Sequence, residues 1–391
     1  MTKHRTTGDI ITSGRAALET DLAAHIAAGA GDESTVEANT IALGRRKLVP
    51  SVATGVGTPR TSTTVLGCVL ELPVLTAPMG PLELVDKAGA RAVSDGANRV
   101  GAATTVALTS APVLEDAIGP TAAAVLQLYW WGDRDWIRSM LTRAHQAEYV
   151  AVVVTVDVPD YGSRWVDLRS GFDHHGQMAL PNLEHAPADR ATRLSFQRAL
   201  TFDDIAWAVE VSPLPIIVKG ILSAADARRT IDAGASAVYV SNHGGRALAG
   251  QIGTVDALVE VAAEVRGEVP VIVDGGFTTA EDVAKGLAAG ADLVAIGRPI
   301  AYALALGGAG VERYLELLKE DFGTALTVLG AASPEALGPH HLRTPQQPLE
   351  SIRRVRAGAA IADSYRATPQ AAEDDDLAMA NAEDITEAEP W

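Results

Sequence analysis

The sequence predicts a single α/β barrel of eight parallel strands wrapped by helices. Three observations carry that expectation. Eight short runs of branched apolar residues recur through the middle of the chain. They lack strict apolar–polar alternation, as strands buried on both faces should. Between them lie capped, alanine-rich helical stretches, the pattern of repeated βαβ units closing into a (β/α)₈ barrel. The chain has 391 residues, more than a typical single domain, yet a barrel of this kind takes up about 250 residues or more as one unit. An open doubly wound sheet is the alternative, weakened because no GxGxxG follows a first strand.

Taken in order, the strands are "LPVLTAPMG" (72–80), "GAATTVA" (101–107), "AVLQLYW" (124–130) and "YVAVVVTVD" (149–157), then "LPIIVKG" (214–220), "AVYVSNHGG" (237–245), "VPVIVDGG" (269–276) and "DLVAIGRP" (292–299). The helix "SAADARRTIDAGA" starts from a cap at Ser223 and ends near Gly234. The helix "TTAEDVAKGLAAGA" is capped by Thr278 or Thr279, carries acidic residues in its first turn and closes on glycine. Residues 15–50 form helices packed on the barrel, with "AGAGDE" at 28–33 as a turn. The fourth strand ends near Asp157 and the fifth begins near Leu214, so a long excursion leaves the barrel there, where an active-site lid would sit. One domain is expected over residues 1–370, with the barrel core at about 70–335. From Ala371 the chain is acidic and poor in large apolar residues, and 371–391 reads as a disordered, solvated tail.

Apolar residues make up 47 % of the chain, and 32 Lys and Arg stand against 49 Asp and Glu, a formal charge of −17. Nucleic acid and anionic membrane surfaces are therefore not expected as partners. Cys68 is the single cysteine, read as a buried small residue, so neither an intrachain disulfide nor a thiolate metal site is expected. The pairs His174-His175 and His340-His341 read as solvated loop residues rather than metal ligands. No apolar signal region or membrane-length run is present, and the expected location is cytoplasmic.

Chemistry in a barrel collects where strands end. Here nearly every strand ends on a polar or glycine-rich group: Ala77-Pro78-Met79-Gly80, Thr105, Gln127 with Tyr129, Thr155 with Asp157, Lys219, His243 with Arg246, Asp274-Gly275-Gly276, and Gly297-Arg298. Such a set reads as one lined pocket. Gln127 and Tyr129 share a strand face, as do Thr155 and Asp157. The last two endings are the usual phosphate position of this fold, with glycine backbone, a helix start and Arg298 as donors. His243 is able to take a proton near neutral pH if a group such as Asp157 holds its ring. Arg246 has the geometry to grip a carboxylate through two parallel bonds. Trp130 and Trp131 read as packing or lid contacts.

The stretches "SNHGGRALAG", "PIIVKGIL", "VLQLYWWGDRD", "VTVDVPDYGSRWVDLRSGF", "VIVDGGFTTAEDV" and "AIGRPIAYALALGG" resemble the FMN-dependent α-hydroxy acid oxidase and dehydrogenase family, which includes glycolate oxidase, lactate oxidase and mandelate dehydrogenase. The resemblance runs from about residue 15 to 350. It implies a barrel that binds FMN and removes two electrons from the α-carbon of a 2-hydroxy acid, a small carboxylate substrate, to give a 2-oxo acid, passing them to O2 or another acceptor. His243 then resembles the base, Asp157 its partner, Arg246 the carboxylate clamp and Arg164 a second active-site arginine, while Tyr129 resembles a substrate-contacting hydroxyl. Lys219 resembles the lysine beside flavin N1 and O2. Thr105, Gln127, Thr155 and Ser241 fall at flavin-contacting positions, the backbone of Ala77, Pro78 and Met79 beside N5, and Asp274, Gly276, Gly297 and Arg298 at the ribityl and phosphate end. The family also suggests a homotetramer.

Three departures stand out. Counting back from the glycine turn puts Ala23 where the family has a carboxylate-contacting tyrosine. Ala107 stands where a bulky residue is common, and Thr278 replaces a phosphate-binding arginine, with its hydroxyl as a substitute donor. A substrate bulkier than glycolate or lactate is therefore expected. Oxidation of an amine or modified-peptide carbon is the alternative reaction, and a non-catalytic flavin barrel the weaker one.

Overall fold

The polar strand endings converge because the inner face of the barrel changes character over one strand repeat. The computed structural model describes residues 4–119, 123–173 and 175–344, and the expected acidic tail lies outside them. The eight barrel strands are β1 (Val74–Thr76), β2 (Thr104–Ala107), β3 (Ala124–Leu128), β4 (Ala151–Thr155), β5 (Ile216–Ile221), β6 (Ala237–Val240), β7 (Val271–Val273) and β8 (Leu293–Ile296). All neighbouring pairs are parallel, from β2 through β8 and round to β1. The seam between β1 and β2 is closed by a single bridge, Leu75 to Ala103. This is the closed barrel, not the open sheet.

One inward layer is apolar: Leu75, Ala103, Val125, Val153, Ile217, Tyr239, Ile272 and Ala295 pack together. Side chains alternate along a strand, so the next inward positions toward the C-terminal ends are Ala77, Thr105, Gln127, Thr155, Lys219, Ser241 and Asp274. Polar groups thus sit directly above a dry plug. The opposite mouth is capped by an antiparallel hairpin, Thr63–Val65 with Cys68–Leu70, whose Val65 and Leu70 join the plug. Cys68 lies in it half-buried, against the expectation of full burial. The larger core lies between strands and helices.

The helices are α1 (Thr7–Ala17), α2 (Thr20–Ala27), α3 (Ser34–Arg45), α4 (Gly89–Val100) and α5 (Arg134–Gln146), then α6 (Trp165–Ser170), α7 (Arg190–Ala199), α8 (Phe202–Val211) and α9 (Ala224–Asp232), followed by α10 (Thr254–Val265), α11 (Ala280–Ala288), α12 (Arg298–Leu304) and α13 (Gly308–Leu329). Ser223 caps α9 by accepting from the Asp226 amide, and Thr279 forms a reciprocal capping box with Asp282 at α11. The long excursion between β4 and β5 carries α6, α7 and α8. Gln197 of α7 fastens it to the barrel, donating to the Thr155 carbonyl at 2.9 Å and accepting from the Trp130 amide at 2.7 Å. Trp130 and Trp131 are buried. His341, expected to be solvated, is buried with its Nδ1 accepting from the Gly338 amide. Among the described residues no helix is long and apolar enough to cross a membrane, and no three His, Cys, Asp or Glu side chains form a metal-binding cluster.

Candidate active site

A cavity of about 260 Å³ opens at the C-terminal ends of the strands, and each strand ending contributes to its wall. Ala77, Pro78 and Met79, Gln127 and Tyr129, Thr155, Lys219, His243 and Arg246 all line it. So do Asp274, Gly276, Gly297 and Arg298, with Arg164 reaching in from the excursion. Three expected residues stand behind the wall: Asp157, Thr105 and Ser241 are buried supports rather than lining groups.

The turn after β6 explains its two glycines. His243, Gly244 and Gly245 have φ of 56°, 60° and 77°, three consecutive left-handed residues. A Cβ on Gly245 would lie 2.8 Å from Val36 of α3, so the turn is pressed against that helix. Asn242 braces it, accepting from the Gly245 amide at 3.2 Å and donating to Asn39 of α3 at 2.8 Å. The histidine therefore occupies a strained but over-determined position, a common property of functional side chains.

His243 Nδ1 lies 3.0 Å from Asp157 Oδ1. Burial raises the Asp157 carboxyl, but the charges of Lys219 and His243 outweigh it and hold the group below its ordinary value. An ionised carboxylate only accepts, so Nδ1 is the donor and Nε2 takes no part in that bond. Gly220 makes room for this arrangement, since a Cβ there would lie 2.5 Å from the Asp157 Cβ. The product is an imidazole held through Nδ1 by a buried anion, the arrangement of a general base.

Beside it lies a polar chain. Lys219 Nζ donates to Ser241 Oγ at 2.8 Å, and Ser241 Oγ donates to Asp274 Oδ1 at 2.7 Å. Lys219 is also 3.5 Å from Asp274 Oδ2. Gln127 Nε2 donates to Thr155 Oγ1 at 3.0 Å. Thr105 Oγ1, by contrast, is buried with no hydrogen-bond partner.

The arginines depart from simple expectation. Arg246 Nη1 donates to the carbonyls of His25, Ile26 and Ala28 at 2.8, 3.3 and 2.7 Å. Arg298 donates from Nε to Ile26 and from Nη2 to Ala28 and Gly244 carbonyls. Both cations thus cap the C-terminal end of α2, where helical carbonyls lack intrahelical partners. Arg298 Nη1 is not engaged in these bonds. Burial, then the charges of Arg164 and Arg298, push the Arg246 guanidinium down to about 9. Arg298 is likewise lowered, chiefly by burial. The pocket is short of negative charge. Thr278 lines it too, but its hydroxyl donates to Asp282 at 3.1 Å, so that proton is already committed.

Ala23 is not in the wall. Helix α2 turns Leu22, His25 and Ile26 toward the cavity, an i, i+3, i+4 face that leaves Ala23 off it. The wall near the glycine turn therefore presents an imidazole rather than a void. His25 Nδ1 contacts both carboxylate oxygens of Asp167 of α6, at 3.0 and 2.9 Å, and Arg164 Nε donates to the same carboxylate at 2.7 Å. Ala107 does line the cavity, as expected.

Residues 14–344 match the family of FMN-dependent dehydrogenases. The chain belongs to this family. Over 322 residues it is 38 % identical to an L-lactate oxidase of Nostoc, covering 78 % of this chain and 88 % of that protein. A peroxisomal (S)-2-hydroxyacid oxidase of Arabidopsis thaliana, GLO3, is 33 % identical, with 83 % and 92 % covered. Among solved structures, mandelate oxidase with (S)-2-phenylpropionate superimposes with a TM-score of 0.81 at 33 % identity, covering 89 % of this chain and all of that one.

The family member described here is an FMN-dependent oxidoreductase that oxidises a 2-hydroxy acid. The cavity suits its cofactor. Lys219 offers a buried cation at the wall, and the surplus of arginine charge calls for anions. Sequence reasoning missed His25, Asp167 and Gln197. Only the 3–4 residue period of α2 could have pointed to His25, and nothing local marks Asp167.

Proposed function

We propose that the enzyme oxidises a 2-hydroxy acid with a side chain larger than that of glycolate or lactate, with His243 as the base. The observation that carries this reading is the His243–Asp157 pair opening onto a cavity with arginines on one side and Ala107 on another. When bound, FMN supplies the two-electron acceptor. Lys219, Gln127 and Thr155 would hold its ring with the backbone of Ala77, Pro78 and Met79, backed from behind the wall by Thr105 and Ser241, and Asp274, Gly276, Gly297 and Arg298 its ribityl phosphate.

The chain's own work then divides by residue. Nη2 of Arg246 and the Arg164 guanidinium orient the carboxylate, and Tyr129, stacked on Trp131 at 4.7 Å, keeps a hydroxyl at the wall. Burial first, then the nearby Tyr161 and Asp157, raise the Tyr129 hydroxyl well above its ordinary value, so it remains a neutral hydrogen-bonding group. His243 Nε2 takes the substrate proton, and Asp157 stabilises the imidazolium without being protonated. Ala107 leaves space that an aryl or extended side chain fills, recovering roughly 25 cal/mol per Å² of apolar surface buried.

The relatives named as lactate, glycolate and mandelate oxidases span small and aryl acids, which supports the class and leaves the side chain to test. Anaerobic flavin reduction across glycolate, lactate, mandelate and longer 2-hydroxy acids decides it: a higher kcat/KM for the bulky acids is expected, and equal values overturn the size assignment. The proposed acceptor is O2, with re-oxidation on admitting air as its test. The proposed assembly is a homotetramer in the cytoplasm, checked by light scattering and fractionation.

A further inference from the structure

His25 is the only titratable side chain that α2 contributes to the cavity wall. Its two ring nitrogens face opposite kinds of partner. Nδ1 meets the Asp167 carboxylate at 2.9 and 3.0 Å, and Nε2 lies 3.2 Å from Arg246 Nη2. An ionised carboxylate only accepts and a guanidinium only donates, so Nδ1 carries the proton and Nε2 presents its lone pair. The imidazole is therefore neutral in the free site. Burial, and next the Arg246 charge, push it down to about 4.

The groups facing it are few. Asp167 and Arg164 come from the excursion after β4, Arg246 from the turn after β6, and the Phe172 ring packs 5.2 Å away. Arg298, from α12, meets the carbonyls at the end of the same helix. A carboxylate drawn to Arg246 would meet the His25 lone pair alongside, a repulsive pairing. A proton on Nε2 gives up the bond accepted from Arg246 Nη2 and turns that repulsion into a charge-assisted hydrogen bond to the carboxylate, and Asp167 is already in place to balance the imidazolium.

We propose that His25 determines the charge specificity of the site by taking up one proton at Nε2 when a carboxylate enters, so that carboxylates bind to an imidazolium and neutral carboxamides to the imidazole. This rests on the reading of the substrate as a carboxylate. The proton comes from solvent: an N–H bond forms at Nε2 as an O–H bond of hydronium or buffer acid breaks, and the ligand itself is unchanged. A unit negative charge about 4 Å from Nε2, at an effective dielectric of about 20, favours the protonated ring by roughly a thousandfold. That moves protonation from acid conditions into the neutral range, where substrate would be met.

The test uses the holoenzyme with pyruvate and phenylglyoxylate, which cannot be oxidised at an α-carbinol, and with their carboxamides. Binding is read from the flavin spectrum, and protons by calorimetry in buffers of different ionisation enthalpy. Between about pH 5 and 6 each carboxylate should take up close to one proton and its Kd should rise about tenfold per unit rise in pH, while the carboxamides show neither effect. His25→Gln should abolish the uptake and flatten the pH profile with flavin still bound, whereas His243→Gln should keep both. If His25→Gln does not retain flavin, Asp167→Asn, which removes the balancing anion, should reduce the uptake in its place. Uptake that survives in His25→Gln and disappears in His243→Gln overturns the proposal and leaves the carboxylate site standing. Failure of both carboxylates to bind at every pH overturns the carboxylate reading itself.

Discussion

Replacing Asp157 by Asn changes one atom and removes the anion behind the proposed base. The Asp157 carboxylate is buried, accepts from His243 Nδ1 at 3.0 Å, and has no partner for its second oxygen. Its contribution to the histidine is therefore concentrated in one bond, which strengthens as the ring becomes positive. A hydrogen bond to a charged group is worth about 1.5–3 kcal/mol. Losing that amount only when the imidazolium forms lowers the rate of flavin reduction by about 10- to 150-fold. Substrate affinity should change little, since Asp157 stands behind the wall. Flavin content should also hold, because Lys219 keeps Ser241 and Asp274 as neighbours. The assay is single-turnover anaerobic reduction followed at the flavin band, with saturating substrate separating rate from binding. Reduction as fast in Asp157→Asn as in the parent would refute the pairing as a catalytic device.

The remaining predictions follow the same geometry. Ala107→Trp should lower kcat/KM for an aryl 2-hydroxy acid by roughly tenfold while sparing glycolate, since about 1.4 kcal/mol of differential binding gives that factor; steady-state kinetics on both acids check it. Lys219→Met should slow flavin reduction tenfold or more, on the order of a lost preorganised cation beside developing charge, and should loosen flavin retention measured by ultrafiltration. Burial, and next the Arg246 charge, push the His25 imidazole down to about 4 in the fold, against 6.5 ordinarily. The unfolded chain thus binds a proton that the folded chain refuses between those values, and stability should fall as pH drops through that window, by at most about 1.4 kcal/mol per pH unit. Denaturant titrations of His25→Gln should show a shallower loss over the same range.

Much of the fold was legible because its signals are local. Branched runs such as "AVVVT" of β4 are apolar on both faces, and Ser223 and Thr279 are caps readable from adjacent residues. The polar endings were legible as well, since strand alternation alone carries Val153 to Thr155 and Ile217 to Lys219. What the sequence hid depends on elements far apart along the chain. His25 and Asp167 are 142 positions apart and meet only because α2 and the excursion after β4 close over the same mouth. Counting back to Ala23 ignored helical phase, which turns His25 inward instead. The engagement of Arg246 and Arg298 with the end of α2 is likewise tertiary, so the expected two-bond grip of Arg246 was drawn without the carbonyls that already hold its Nη1.

The central claim is that His243 takes the proton during oxidation of a 2-hydroxy acid. It is tested most directly by mixing holoenzyme and its His243→Ala variant anaerobically with a panel of 2-hydroxy acids and following flavin bleaching. The account predicts rapid bleaching of the parent by at least one acid, and bleaching slower by on the order of 10²-fold or more in the variant with its flavin still bound. Equal rates in the two proteins would contradict it.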